Sequence, residues 1–395
     1  MDTKDILRRA GALQERVAEW RRHIHAHPEL GMETEGTAAF VERTLGGLGV
    51  AKVRRCARTG VVALVEGLAD GPGRCVGLRA DMDALPVTER SGLPFASTVA
   101  GCAHACGHDV HTACLLGAAA LLQEMRGSFS GTAKLIFQPG EEGAGGARAM
   151  IGDGLMEGPK MDAVFMLHAW PDLPAGTVGL RRGPALAGTY GIRIRIRGRQ
   201  GHAAHPHRCV DPILIAGHII CALQSVVARE LSPLDGGVLT LGQISGGTAG
   251  NIIPEEVELK GTIRALKKDV GERILDSARR IVEGTAAMLR GSAELIAGES
   301  LPPIVNEDGP FEQMDSTFRA LLGPERVSCL PEPVMGGDDF ALLLEQVPGG
   351  HFRLGVAGDG RPVHPLHSPD FYASDSCLAT ETAALAAIGL RALEG

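Results

Sequence analysis

The chain is short of aromatic residues: Trp 2, Tyr 2 and Phe 10 amount to 4% of 395 residues. So few rings leave little material for a surface that stacks nucleic-acid bases. It also lacks a basic excess. The formal net charge is -8, and both nucleic acid and anionic membrane reward basic patches. No run reaches the roughly 18 consecutive apolar residues that a membrane-spanning helix needs. The stretch 1–20 is charged and helix-like, without the apolar centre of a secretory signal. The 9 cysteines are an odd number at no disulfide-scaffold spacing, so free thiols in a reducing compartment, the cytoplasm, are expected. What is present is ordinary for a soluble globular protein, 44% hydrophobic and 22% charged. The length suits two domains, or one large α/β domain with an insertion.

The spacing of Ile6, Leu7, Leu13, Val17, Trp20 and Ile24 predicts a helix over 4–25, ended by Pro28 and Gly31. A second helix is expected over 34–48, closed by Gly49. Short buried strands are expected at 61–66 and 74–80, the latter running into Asp81-Met82-Asp83. The segment His104-Ala105-Cys106-Gly107-His108-Asp109-Val110-His111 precedes a largely apolar run, 112–125, read as a helix. Strands at 132–138 and 162–167 stop at Pro139-Gly140-Glu141-Glu142-Gly143 and at His168. Polar residues thus gather where strands end, which is where open α/β sheets bind ligands.

Near Gly183 the pattern changes. Ile192, Ile194 and Ile196 alternate with Arg193, Arg195 and Arg197, a half-exposed strand. A helix from Asp211 to about 229, with Pro212 in its first turn, strands at 238–244 and 256–264, a helix at 269–289 and a strand at 293–296 follow. That order, βαββαβ, is the ferredoxin-like unit. The expected architecture is therefore α/β. A catalytic domain with a mixed, largely parallel sheet flanked by helices spans 1–183 and 299–395, and a ferredoxin-like domain is inserted at 184–298.

A Cys or His near a helix start is usually structural. The acid pair Glu141-Glu142 changes the reading, because Pro139 and Gly143 deny it a helix and neighbouring side chains in a turn diverge. One carboxylate can bind a metal while the other takes a proton, the two tasks of a metallohydrolase. His168 alone would be a satisfied core histidine, and His367, in a Pro-flanked loop, a surface one. Together with Cys106, His108 and Glu142 they are five candidate donors, too many for one tetrahedral zinc and suited to two metals sharing a bridge.

The motifs containing Cys106 and His108, together with Gln138-Pro139-Gly140-Glu141-Glu142-Gly143, Arg79-Ala80-Asp81-Met82-Asp83-Ala84-Leu85-Pro86 and Arg22-His23-Ile24-His25-Ala26-His27-Pro28, resemble those of the amidohydrolase/carboxypeptidase metallopeptidases. The branch they resemble is that of hippurate hydrolase, N-acyl-amino-acid amidohydrolase (aminoacylase) and the indole-acetyl-amino-acid hydrolases. The resemblance spans nearly the whole chain, including Gly201-His202 and Leu366-His367-Ser368-Pro369. It implies that Cys106 lies between two metals, where other branches use an aspartate. His108, Glu142, His168 and His367 complete the shell, and Glu141 is the general base. Arg79 stands where other branches have a histidine ligand, and Asp81 orients groups near the site. Gly140 departs from the branch's commoner Ala. Asp338-Asp339 is similar to a Gly-rich acidic motif of the family and is read as a structural loop.

By the same resemblance His202 polarises the scissile carbonyl, while Asn251 and Arg264 hold a substrate carboxylate; a turn residue and a surface charge are the plain alternatives for the last two. The expected reaction is hydrolysis of N-acyl-L-amino acids with two divalent ions, Zn²⁺ or Mn²⁺, with Co²⁺ and Ni²⁺ open. The expected partners are the small-molecule substrate and a second copy joined through the inserted domain. Competing readings are a dipeptidase or carboxypeptidase, and a metal-binding scaffold without turnover.

Overall fold

The first helix forms over Thr3–Ala26, its Asp2 side chain accepting from the amides of Lys4 and Asp5 and its buried face carrying Ile6, Ala10, Val17 and Ile24. A computed structural model of the chain describes residues 2–395. They divide into two compact units, one of residues 2–183, 305–332 and 338–395, the other of Pro184–Ile304 and Pro333–Gly337.

The first unit holds an 8-stranded sheet. Its strands run in the order Lys52–Cys56, Gly60–Glu66, Thr132–Gln138, Cys75–Asp81, Ala163–Pro174, Gly349–Ala357, Val178–Leu180 and Val327–Cys329. Cys75–Asp81 pairs in parallel with both Thr132–Gln138 and Ala163–Pro174, and the latter in parallel with Gly349–Ala357. These central strands are buried almost throughout, as a sheet covered on both faces requires. The helices Thr3–Ala26, His108–Glu124 and Leu378–Glu394 pack on one another, and the latter two on the sheet.

The second unit holds a 4-stranded antiparallel sheet in the order Gly237–Gly246, Glu256–Ala265, Gly188–Arg197, Ser292–Leu301. The helices Pro212–Ser225 and Lys268–Met288 cover its apolar face. Ile192, Ile194 and Ile196 are buried there, while Arg193, Arg195 and Arg197 lie beside Glu256, Glu258 and Glu294 on the other face. The break expected after 298 falls inside the strand Ser292–Leu301, so the chain leaves this unit only after Ile304.

Two helical stretches, Pro212–Glu230 and Asp375–Glu394, are long and apolar enough to cross a membrane by length and composition alone. The second is 83% buried within the protein, and the first packs Ile215, Ile219 and Leu223 into the core of the second unit. Core packing accounts for the second, whereas the first is 33% buried.

Other boundaries differ from the sequence reading. The helix after Cys106 starts at His108 rather than at 112. His168 sits within the strand Ala163–Pro174, not at its end, because Gly349–Ala357 continues to pair with it through His168↔Arg353 and Trp170↔Gly355. A helix over Asp308–Leu322, with Phe311, Met314 and Phe318 buried, covers a stretch for which the sequence pattern predicts no element.

Candidate metal centre

Asp81 and Gln138 are in register on neighbouring parallel strands, so Asp81–Asp83 and the turn holding Glu141 and Glu142 leave the sheet side by side. The Met82 amide donates to the Gln138 carbonyl at 2.8 Å and extends the pairing. Gly140 takes φ +67°, and a Cβ there would lie 2.7 Å from Met32 Sδ. The glycine at this position therefore suits both the backbone and the packing of this chain.

Cys106 and His108 are joined by Gly107 at φ +89°, where a Cβ would stand 2.7 Å from Ala169 Cβ. His108 Nδ1 lies 2.8 Å from the Asp83 carbonyl, and His168 Nδ1 lies 2.8 Å from the Ala169 carbonyl. A carbonyl only accepts, so Nδ1 carries a proton in each ring and Nε2 is the atom left to face a metal. His168 Nε2 is 3.6 Å from Cys106 Sγ. His108 Nε2 is buried and has no hydrogen-bond partner among the described residues. His367 is held by its amide, which donates to the Ala105 carbonyl at 2.7 Å, and its Nε2 is 3.2 Å from Glu142 Oε1.

The donor atoms of Cys106, His108 and His168 lie within 4.8 Å of one another, and so do those of Cys106, Glu142 and His367. The two triads share the Cys106 sulfur. Donors at 2.0–2.3 Å from a tetrahedral ion stand about 3.3–3.8 Å apart, and the Cys106–His168 separation of 3.6 Å falls in that range. The oriented Nε2 atoms, the thiol and the carboxylate fit divalent ions of the zinc type.

The electrostatics agree. Burial pushes the Cys106 thiol up, so an adjacent positive charge is needed to make it a thiolate. Burial takes His168 down to about 3, leaving the neutral ring a ligand requires. Burial would lower His108 too, but the Asp81 carboxylate and Cys106 outweigh it and raise its proton affinity, which marks a position that draws positive charge. Burial raises Glu141 well above the carboxylate range, and the negative charges of Asp338, Glu142 and Asp339 add to it.

The surrounding residues fix these groups. Arg79 is buried, its Nη1 2.7 Å from Asp81 Oδ2, its Nη2 3.0 Å from Asp339 Oδ1 and 3.2 Å from Asp338 Oδ1, and its Nε donates to Gln138 at 2.9 Å. Asp81 also accepts from His111 Nδ1 at 2.6 Å, and His111 Nε2 accepts from the Ala169 amide at 2.8 Å. None of these partners of Arg79 and His111 was read from the sequence. The spacing Arg79-Ala80-Asp81, which puts both side chains on one strand face, was the available signal.

Asp109, next to His108, accepts from Arg21 Nε at 3.0 Å and from His25 Nδ1 at 2.8 Å. Burial disfavours charge on His25, but Asp109, with Glu89 3.1 Å from Nε2, outweighs it and raises the pKa to about 9. A raised folded-state pKa gives stability that is complete below the unfolded value near 6.5 and lost as pH rises through about 9. The unfolding free energy of the wild type relative to His25→Phe should therefore shrink between pH 6 and pH 10, by on the order of 3 kcal/mol. Denaturant titrations of both proteins across that range check this. A pH-independent gap would mean that His25 does not hold its proton in the folded protein.

His202, Asn251 and Arg264 all lie in the second unit. His202 pairs with Ile252 in a two-strand ladder, its Nδ1 accepts from the Ala204 amide at 3.0 Å, and the Ala203 amide donates to the Asn251 carbonyl at 3.1 Å. His202 and Asn251 are thus close neighbours. Arg264, on the strand Glu256–Ala265, donates to Thr189 Oγ1 at 2.7 Å.

Comparison with known proteins gives the same picture. The family model described as "Peptidase family M20/M25/M40" matches residues 77–390. An N-acetylcysteine deacetylase of Bacillus subtilis is 40% identical over 361 residues, covering 91% of this chain and 93% of that protein. Thermostable carboxypeptidase 1 of Saccharolobus solfataricus is 38% identical over 371 residues, covering 93% and 92%. The crystal structure of a dinuclear metal binding peptidase of Bacillus subtilis superposes with a TM-score of 0.84 at 34% identity, covering 97% and 99% of the two chains. Clustered metal donors on an α/β sheet and relatives matched along most of their length lead to one assignment: the chain belongs to the M20/M25/M40 peptidase family and is a metal-binding hydrolase of amide bonds.

Proposed function

We propose that the enzyme hydrolyses N-acyl-L-amino acids, releasing a carboxylic acid and a free amino acid. The observation that carries the reading is the pair of donor triads sharing Cys106 Sγ, with the Glu141 carboxylate within 4.8 Å of the His108 and Glu142 donors. Cys106, His108 and His168 would hold one divalent ion, and Cys106, Glu142 and His367 a second, as Zn²⁺ or Mn²⁺, with Co²⁺ or Ni²⁺ as substitutes. When bound, such ions supply Lewis acidity to the carbonyl and lower the pKa of water from about 15.7 toward ~7.

Glu141 takes the proton from the attacking water as its oxygen adds to the amide carbon. His202 donates a hydrogen bond to the developing oxyanion. Glu141 then delivers the proton to the nitrogen as the C–N bond breaks, so the leaving group departs as a neutral amine. Asn251 and Arg264 hold the amino acid's carboxylate, and the half-buried guanidinium of Arg264 suits a bidentate partner. A pure metal binder has no use for Glu141 beside a full donor set, which argues against a scaffold.

A homodimer is part of the proposal. Ile213 and Leu214 on the helix Pro212–Ser225, and Ile244 on the edge strand Gly237–Gly246, are exposed apolar groups of the second unit. All 9 cysteines are free thiols, which suits the cytoplasm.

Rates on hippurate, N-acetyl amino acids and dipeptides, with added Mn²⁺, Zn²⁺ or Co²⁺, test the reading. N-acyl amino acids should give the highest kcat/KM. Preference for dipeptides would favour the carboxypeptidase-like reading that the Saccharolobus relative supports, and no hydrolysis of any amide would end the proposal.

A further inference from the structure

We infer that Asp83 is the positioning residue that sets the placement of the proposed base and of two proposed metal ligands at once, a role that rests on the reading of Glu141 and Glu142 given above. The side chain is wholly buried. Its Oδ1 accepts from the Glu141 amide at 3.0 Å and its Oδ2 from the Glu142 amide at 3.1 Å. Its backbone carbonyl takes the Nδ1 proton of His108 at 2.8 Å, which leaves Nε2 as the metal-facing atom. One residue therefore touches the backbones of the base and one ligand, and the ring of another.

The turn needs such a grip. Gly140, Gly143 and Gly145 all take positive φ, at +67°, +83° and +74°, so this stretch has little stiffness of its own. Two successive amides converging on one carboxylate form an anion nest. Only a carboxylate satisfies both, because an amide side chain offers one oxygen and turns an NH₂ toward the other donor. Burying a carboxylate beside two functional carboxylates is costly, and the hydrogen bonds from both amides are what offsets that cost.

The test uses Asp83→Asn beside the wild type, with three readouts. Amide hydrogen exchange of the wild type should show Glu141 and Glu142 protected at least about 100-fold over free-chain rates. In the variant these two amides should exchange about 10-fold faster or more, while those of the strand Thr132–Gln138 stay as in the wild type. Zn²⁺ affinity, by competition with a chromophoric chelator, should fall about 10–100-fold, and kcat by a similar factor, with KM within about threefold. Unprotected amides in the wild type overturn the inference without any variant, which covers the case in which Asp83→Asn does not fold. A variant with fast amides but wild-type affinity and kcat also overturns it, as does exchange that rises equally across the strand. If the wild type hydrolyses no amide, the proposed function falls, while the exchange and Zn²⁺ readouts still decide the role of Asp83.

Discussion

Glu141→Gln is expected to lower kcat by about 10²–10⁴-fold, the range a general base supplies, while metal content stays at the wild-type level. Glutamine keeps the shape of the side chain, so packing is disturbed little. It cannot accept the proton from water, and it has none to give to the leaving nitrogen. Metal should remain because both triads that share Cys106 are complete without Glu141. Elemental analysis of the purified variant and single-turnover assays separate the possibilities. Near wild-type turnover would show that another group is the base, and loss of metal would make Glu141 a ligand.

The other large effect belongs to Cys106. Removing its sulfur by Cys106→Ala leaves each triad with two donors, so both ions should be lost and activity should fall below detection. Cys106→Asp supplies two oxygens at the shared position and should keep metal, with reduced but measurable turnover. Metal binds the folded chain in preference to the unfolded one, so occupancy also stabilises it, by about 4 kcal/mol for a ligand present at 1,000 times its Kd. The alanine variant should therefore melt like chelator-treated wild type, and the aspartate variant like the loaded enzyme. An alanine variant that still carried metal would mean that the shared sulfur is not needed to hold it.

The candidate donors could be singled out in the sequence because they stand beside apolar runs or in Pro-flanked turns, with a family resemblance to order them. Glu141 and Glu142 stood out because Pro139 and Gly143 exclude a helix. The extent of the strand around His168 was hidden. A histidine after five apolar residues reads as an end, and only its parallel partner Gly349–Ala357 carries the pairing onward. The partners of Arg79 were hidden by distance, since Asp338 and Asp339 lie 259 and 260 positions along the chain. The grip of Asp83 was hidden for a different reason: a carboxylate held by backbone amides leaves no pattern of side-chain types. In Asp308–Leu322, the Gly309-Pro310 pair imitates a turn, although proline fits the first turn of a helix.

The cysteines carry a practical consequence. Seven of the 9 are buried, and the two exposed ones, Cys221 and Cys329, fall one in each compact unit. A maleimide reagent will meet those two first, so the native chain accepts a fluorophore pair for energy-transfer measurements without any engineered label site. Alkylation of Cys221, on the helix Pro212–Ser225 beside the exposed apolar groups, also serves as a footprint. If its rate falls as protein concentration rises, that face is the one a second copy covers.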